Sequence, residues 1–209
     1  MQTRIGKRII HCDNCVLALA IPTSRESFLE CKRKAINRDF VPNQCSSVQN
    51  YEQKVLKIFN LIEAGVRSWG VTIEENLTFA RFERLFTQFD IVILIAHWKD
   101  QSESESYIEF YDGLVPILKV VEGIPDSFSG VLDLCVCHPR DLAVLIRDRK
   151  PGCLVRLSEN RPGSKDRYIA KPRYWLYYYL HLFSILHQGD YTYLEAYKVA
   201  YQKMMNREN

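Results

Sequence analysis

Two apolar segments of this chain each run directly into a side chain suited to nucleophilic chemistry. Residues 91–96 (IVILIA) precede His97, and residues 131–136 (VLDLCV) precede Cys137. A thiolate is a strong nucleophile, and a neighbouring imidazole can accept the thiol proton or hold the sulfur in its charged form. The two segments therefore predict a catalytic dyad in which His97 is the general base and Cys137 is the attacking group.

The identity of the nucleophile stays open between two cysteines. Side chains two positions apart on a strand point to the same face, so both Cys135 and Cys137 could lie near His97. Cys137 is preferred because it ends the apolar run and precedes a predicted helix, whose N-terminus lowers the pKa of a nearby thiol. His138 adjoins Cys137, but neighbouring strand residues point in opposite directions, so His97 is the better base.

The elements that must position this pair alternate between apolar strands and amphipathic helices. Strands are predicted at residues 16–22, 90–96, 107–111, 131–137 and 153–159, and helices at 23–35, 51–66, 79–88, 116–121, 138–150, 175–186 and from 191 or 192 onward. Thr23 and Glu26 resemble a capping box at the start of the first helix. The alternation predicts an α/β sandwich with a mainly parallel sheet, in which reactive groups lie just beyond the carboxyl ends of the strands.

Composition is ordinary for one globular domain spanning residues 1–209. Apolar residues make up 47% of the chain, charged residues make up 25%, and the net charge is +3, which is too small to argue for nucleic-acid binding. No stretch of 18 apolar residues is present, so no membrane span is expected. The seven cysteines are an odd number in a chain long enough to fold without disulfides, and we therefore expect a reducing, cytoplasmic location.

Two other chemical readings of the sequence are open. Cys12, Cys15, Cys135, Cys137 and His138 together offer enough ligands for a tetrahedral zinc site, although nothing in the sequence requires the two groups to meet. The aromatic C-terminal segment could stack on nucleic-acid bases, but its helical spacing and the absence of a basic run favour core packing. The predicted dyad itself needs no metal or organic cofactor, and none is expected.

The order and character of several segments resemble the CHAT family of caspase-like cysteine peptidases. FDIVILIAHW is similar to the family's histidine-bearing strand, and VLDLCVC is similar to the strand that ends in its nucleophile. YIEFYDGLVP, with Asp112-Gly113, is similar to the segment between them. The likeness covers roughly residues 79–205 and includes both terminal helices.

This resemblance implies a three-layer α/β/α caspase-like fold and a cysteine endopeptidase that cleaves a specific protein substrate. It places the base on His97, the nucleophile on Cys137 and the oxyanion donors on the backbone N–H groups of Trp98 and Cys137. The sequence departs from the family at Trp98, where a glycine is usual, and at His138-Pro139, because proline has no N–H to donate.

Substrate selection is expected from charges along the groove. The resemblance places residues 153–159 beside the substrate, where Glu159 would select a basic residue and Arg156 an acidic one, and Asp112 is a third candidate. The family also implies regulated proteolysis in bacteria, including activation of a defence effector, with a separate activating protein as a partner. The alternative is a catalytically inactive CHAT-like scaffold that binds a protein partner, which the departures at Trp98 and Pro139 motivate.

Overall fold

The computed structural model of the chain describes most of its residues. The described ranges are 2–5, 8–11, 14–36, 48–102, 105–136, 139–157, 172–189 and 191–205. The strands are β1 Gln2–Ile5, β2 Arg8–His11, β3 Cys15–Leu19, β4 Thr72–Glu74, β5 Ile91–Ile95, β6 His97–Ser102, β7 Glu105–Phe110, β8 Gly113–Pro116, β9 Val131–Cys135 and β10 Leu154–Leu157. The helices are α1 Arg25–Ile36, α2 Val48–Tyr51, α3 Lys57–Ser68, α4 Phe79–Gln88, α5 Ile117–Glu122, α6 Pro139–Arg149, α7 Pro172–His187 and α8 Tyr193–Met205, with a π-helical turn at Glu52–Leu56 between α2 and α3.

Five strands form a parallel sheet in the spatial order β10-β9-β5-β3-β4. Counted along the chain, this is the order 2-1-3-4-5 that is common among doubly wound α/β folds. The chain moves from β3 to β4 in one direction and then from β4 through β5 and β9 to β10 in the other. Because crossover connections between parallel strands are right-handed, these two directions place their helices on opposite faces of the sheet.

Each face of the sheet has its own apolar core. Residues such as Leu17 and Ile93 point to one face, where they pack against α3, α7 and α8, and their neighbours Val16 and Val92 point to the other, beneath α4, α5 and α6. Strands that are buried on both faces read as continuous apolar runs rather than as alternating patterns. The predicted α/β sandwich with a parallel sheet is therefore confirmed as a five-stranded parallel sheet flanked by helices.

A separate three-stranded antiparallel sheet, β6-β7-β8, follows β5 directly. Its inner row, Trp98, Ile108 and Val115, packs into the core beneath α4, α5 and α6. The sequence predicted a strand and a turn at Asp112-Gly113, but it did not predict that His97 begins a strand of its own. The reason is that β6, HWKDQS, is mostly polar and has no apolar alternation of the kind that marks a strand.

The capping box at the start of α1 differs from the prediction. The capping box of α1 is formed by Ser24 and Ser27, each of which accepts a hydrogen bond from the backbone N–H of the other at 3.0 Å, while Thr23 donates to Glu75 at 2.6 Å. In α8 the buried positions are Tyr193, Ala196 and Ala200, and Tyr197 and Tyr201 are partly buried beside them. No helix among the described residues is both long enough and apolar enough to cross a membrane.

Candidate active site

Strands β5 and β9 are neighbours and stay paired to their carboxyl ends. Ile95 lies opposite Cys135, and the backbone N–H of Ala96 donates to the Cys135 carbonyl at 3.3 Å. His97 is the second residue after Ile95, and Cys137 is the second residue after Cys135 in the sequence. The strands that precede the two predicted dyad residues therefore end side by side at one edge of the sheet.

Two of the predicted dyad and substrate residues lie outside the described part of the chain: Cys137, and Glu159 at the end of the predicted strand 153–159. Cys12 and His138 of the zinc reading also lie outside it. The described chain on either side of Cys137 ends at Val136 and begins again at Pro139, the first residue of α6. The assignment of the nucleophile to Cys137 therefore stays a prediction.

His97 stands where the central sheet passes into the small antiparallel sheet. It is the first residue of β6, its side chain is partly buried, and it lies directly opposite Glu109 of β7 in the register. Burial lowers the pKa of its imidazole below the usual 6.5, because a charged ring is harder to desolvate than a neutral one. A neutral imidazole at neutral pH is the form that can accept a proton.

Trp98, whose backbone N–H is a predicted oxyanion donor, is the second residue of β6. Its side chain is partly buried and packs against the core beneath α4, α5 and α6, and its register partner is the fully buried Ile108. Because neighbouring residues of a strand point to opposite faces, this packing directs the His97 side chain away from that core. Trp98 thus fixes the orientation of the strand that carries His97.

Cys135, the alternative nucleophile, is sealed in the opposite core. Only 3% of the residue is exposed, and it belongs to the cluster that α3, α7 and α8 cover, near Tyr179. A nucleophile needs access to a substrate carbonyl, and an apolar, closed environment disfavours the thiolate. The burial of Cys135 therefore argues for Cys137 as the reactive residue of the pair.

The other described cysteines have surroundings that suit structural roles. Cys15 and Cys153 are buried and Cys31 is partly exposed; burial raises the pKa of Cys153 to about 12. The zinc reading that joins Cys15 to Cys135 is wrong, because the register separates them by two strands sideways and by four residues, ~13 Å, along the strand direction. No cluster of metal-ligating side chains occurs among the described residues.

Arg156, a predicted substrate contact, is engaged inside the protein. Its guanidinium lies 2.6 Å from the carboxylate of Asp133, its register partner on β9, and donates to the Tyr178 hydroxyl at 2.8 Å. The plane of the Tyr197 ring lies against it, with 3.2 Å from Cζ to the ring centre. Burial opposes the charge on Arg156, but the Asp133 carboxylate outweighs that cost and raises its pKa above the usual value.

Asp133 links strand β9 to the terminal helices. It is completely buried, and it accepts a second hydrogen bond from the Tyr193 hydroxyl of α8 at 2.8 Å. Burial, reinforced by the negative charge of Asp133, raises the pKa of Tyr179 and Tyr193 well above 10, so both are neutral donors at neutral pH. The strand that leads to Cys137 is thereby held to α7 and α8 by a charged and hydrogen-bonded network.

Asp112, the third predicted substrate contact, lies in the exposed turn between β7 and β8. Its Oδ1 accepts a hydrogen bond from the backbone N–H of Phe79 at 3.1 Å, and the Thr78 hydroxyl accepts one from Arg81 at 3.3 Å. Both contacts satisfy donors at the N-terminus of α4, where orphan N–H groups need acceptors. Asp112 therefore joins the small antiparallel sheet to that helix.

Sequence reasoning missed Asp133 and Glu109. Asp133 lies inside an apolar strand, and that position is itself a signal, because a carboxylate inside such a strand needs an ionic or hydrogen-bonding partner. Glu109 follows the buried Ile108, and the turn at Asp112-Gly113 already indicated that its strand doubles back. The residues opposite them, Arg156 and His97, lie on other strands, so the local sequence does not show which residues will face each other.

No family model, no curated protein and no solved structure matches this chain.

Proposed function

We propose that this chain is a cysteine endopeptidase of the CHAT type with a caspase-like fold and a His97–Cys137 dyad. The observation that carries the proposal is the register of Ile95 with Cys135 on adjacent parallel strands. It brings the strands before both reactive residues to the same edge, which is where ligands bind in open α/β sheets. A dyad of His97 and Cys137 is proposed because these two residues follow level positions on neighbouring strands.

Four further observations support Cys137 as the nucleophile. The rival Cys135 is buried in the core, and Cys153 has a pKa of about 12. The 11-residue helix α6 begins at Pro139, two residues after Cys137, and the positive end of a helix favours a thiolate. His97 is the described histidine that follows the neighbouring strand end, and its lowered pKa makes it a neutral base.

In the proposed mechanism, His97 accepts the thiol proton while the Cys137 sulfur attacks the peptide carbonyl carbon. The carbonyl oxygen becomes an oxyanion, for which the backbone N–H groups of Trp98 and Cys137 are the proposed donors. As the C–N bond breaks, the imidazolium of His97 gives its proton to the leaving amine. A water molecule, deprotonated by His97, then hydrolyses the thioester and restores the thiol.

The proposed substrate is an extended segment of a protein, and a separate protein is proposed as the activator. Arg156 is held by Asp133 and Tyr178, and Asp112 by the N-terminus of α4. Selection of the residue before the cleaved bond is therefore assigned first to Glu159, which would favour Lys or Arg because an unpaired buried charge is costly. Activation of a bacterial defence effector is the role that the family resemblance suggests.

Thiol labelling tests the dyad. At pH 7 an isolated thiol is a few per cent thiolate, so iodoacetamide should alkylate a Cys137 activated by His97 more than about tenfold faster than a free cysteine. The rate, followed by mass spectrometry of the peptide that contains Cys137, should fall by at least that factor in His97→Ala. His187→Ala, which removes an exposed histidine, is the matched control and should leave the rate unchanged.

Peptidyl acyloxymethyl ketones with Arg, Asp or Leu before the reactive group then test proteolytic function. Modification confined to Cys137, strongest with Arg and abolished by His97→Ala, supports the peptidase and the assignment to Glu159. Cys15, Cys135 and Cys153 should stay unmodified in the folded protein because they are buried. If none of the seven thiols reacts with these ketones, the result would instead favour the inactive, partner-binding scaffold.

A further inference from the structure

A row of three side chains crosses the small antiparallel sheet at the position of His97. The register pairs His97 of β6 with Glu109 of β7, and Glu109 with Leu114 of β8. Side chains directly opposite each other on antiparallel strands have Cβ atoms ~5 Å apart and point to the same face. A glutamate carboxyl is thus placed within reach of the imidazole by the backbone itself.

The orientation of this row is fixed by the residues next to it. Trp98, Ile108 and Val115 form the neighbouring row, and all three pack into the core beneath α4, α5 and α6. Since the two rows must point to opposite faces, His97 and Glu109 share the face that looks away from that core. A one-residue slip of β6 would expose Trp98 and one of β7 would expose Ile108, so the apolar row also secures the register of His97 with Glu109.

Burial distinguishes Glu109 from an ordinary surface glutamate. Glu109 is only partly exposed, and its Oε2 atom is buried. An imidazole N–H on the facing strand is a donor that the carboxylate of a residue directly opposite can accept. A neutral imidazole has one N–H and one bare nitrogen, so a carboxylate that holds the N–H leaves the bare nitrogen for a thiol.

We propose that Glu109 is the positioning residue of the dyad: its carboxylate accepts the N–H of His97 and directs the other ring nitrogen toward Cys137. This assignment rests on the proposed function of His97 and Cys137. When His97 takes the thiol proton, the same carboxylate stabilises the imidazolium. Burial disfavours that charged ring, and a carboxylate directly opposite would offset part of this cost.

Few other titratable side chains belong to the elements around His97 and Glu109. On the same face of the small sheet, the next row holds Lys99 and Tyr107. Helix α5, which packs against β7 and β8, contributes Lys119 and Glu122, whose residues are both exposed. Among the charged residues of these elements, Glu109 is the acidic one placed directly opposite His97.

The experiment measures iodoacetamide alkylation of Cys137 between pH 5 and 9 in the folded protein. A carboxylate that stabilises the imidazolium lets the thiolate–imidazolium pair form at lower pH. Glu109→Gln should therefore move the midpoint of the profile upward by about one pH unit and slow alkylation at pH 7 by about tenfold. Glu109→Asp, which keeps the charge on a shorter stem, should restore part of the rate.

Glu105→Gln is the matched control. It removes the same charge from the same strand and the same face, four residues from Glu109, and should leave the profile unchanged. A purely structural role for Glu109 would lower the melting temperature without moving the midpoint, and that result would overturn the proposal. If alkylation depends on His97 but not on Glu109, the dyad stands and the positioning role fails. If alkylation does not depend on His97, the proposed function itself is wrong.

Discussion

The carboxylate of Asp133 and the guanidinium of Arg156 form an ion pair between adjacent strands, with 2.6 Å between Oδ2 and Nη1. Asp133 is fully buried and the Arg156 side chain is 12% exposed, so water screens neither charge well. Tyr178 and Tyr193 complete the hydrogen bonding around the pair. The pair thereby holds strands β9 and β10 against helices α7 and α8.

Arg156→Met should destabilise the fold by about 3–5 kcal/mol, because it leaves the Asp133 carboxylate buried without a counter-charge. The double variant Asp133→Leu/Arg156→Met should cost less than the single one, since no lone charge is then left in the core. Urea denaturation of the wild type and the three variants, including Asp133→Leu alone, measures both effects.

Arg67→Met provides the comparison at an exposed ion pair. Arg67 contacts Glu63 one helical turn away at 2.9 Å, with both side chains open to solvent, and its loss should cost about 0–1 kcal/mol. If Arg156→Met costs no more than Arg67→Met, the Asp133–Arg156 pair does not stabilise the fold as described.

Gly130 should not tolerate even a methyl group. A Cβ atom at this position would lie 2.1 Å from the Asp90 carbonyl oxygen, at the point where β9 begins beside β5. Gly130→Ala should therefore destabilise the protein by about 1–3 kcal/mol, because the backbone must move. The measurement is the free energy of unfolding in urea, together with the His97-dependent alkylation rate of Cys137.

Gly65→Ala is the matched substitution in the middle of α3. A Cβ atom there would lie 3.6 Å from the Leu180 Cδ1, an ordinary contact, and alanine favours the helix over glycine by about 0.5–1 kcal/mol. The free energy of unfolding should therefore fall in Gly130→Ala and rise in Gly65→Ala. Equal losses would mean that the close approach at Gly130 does not constrain the sheet.

His97 should make the fold less stable in mild acid. Burial holds its pKa below 6.5, the value expected in the unfolded chain, so between these two values the unfolded state binds more protons. Its contribution to stability is therefore present above pH 6.5 and is lost as pH falls through 6.5 toward the folded pKa. The free energy of unfolding, measured by denaturation at pH 5.5 and pH 7.5, should change less between these pH values in His97→Gln than in the wild type.

His187→Gln controls for the loss of any histidine, because His187 is exposed at the end of α7. The free energy of unfolding of His187→Gln should change between pH 5.5 and pH 7.5 by as much as that of the wild type. If the difference in unfolding free energy is the same in His97→Gln as in the wild type, burial does not hold the pKa of His97 below 6.5.

Local sequence patterns were sufficient for most of the helices and strands. Helix α4 begins and ends where its pattern predicts, with Phe79, Phe82 and Leu85 buried, because the 3.6-residue period is written into adjacent residues. The apolar run before His97 predicted β5 in the same way. The polar strand β6 was not predicted, because its pairing with β7 rather than its own composition makes it a strand.

By itself, the sequence determined that apolar strands end near His97 and Cys137, that helices alternate with them, and that the sheet would be mainly parallel. These properties depend on residues close together in the chain. Only the tertiary structure decided the strand order, the level ending of β5 and β9, the enclosure of Cys135, the Asp133–Arg156 pair and the placement of Glu109 opposite His97. Each of these depends on which distant strands become neighbours and in what register, and that choice is set by burying both faces of the sheet at once.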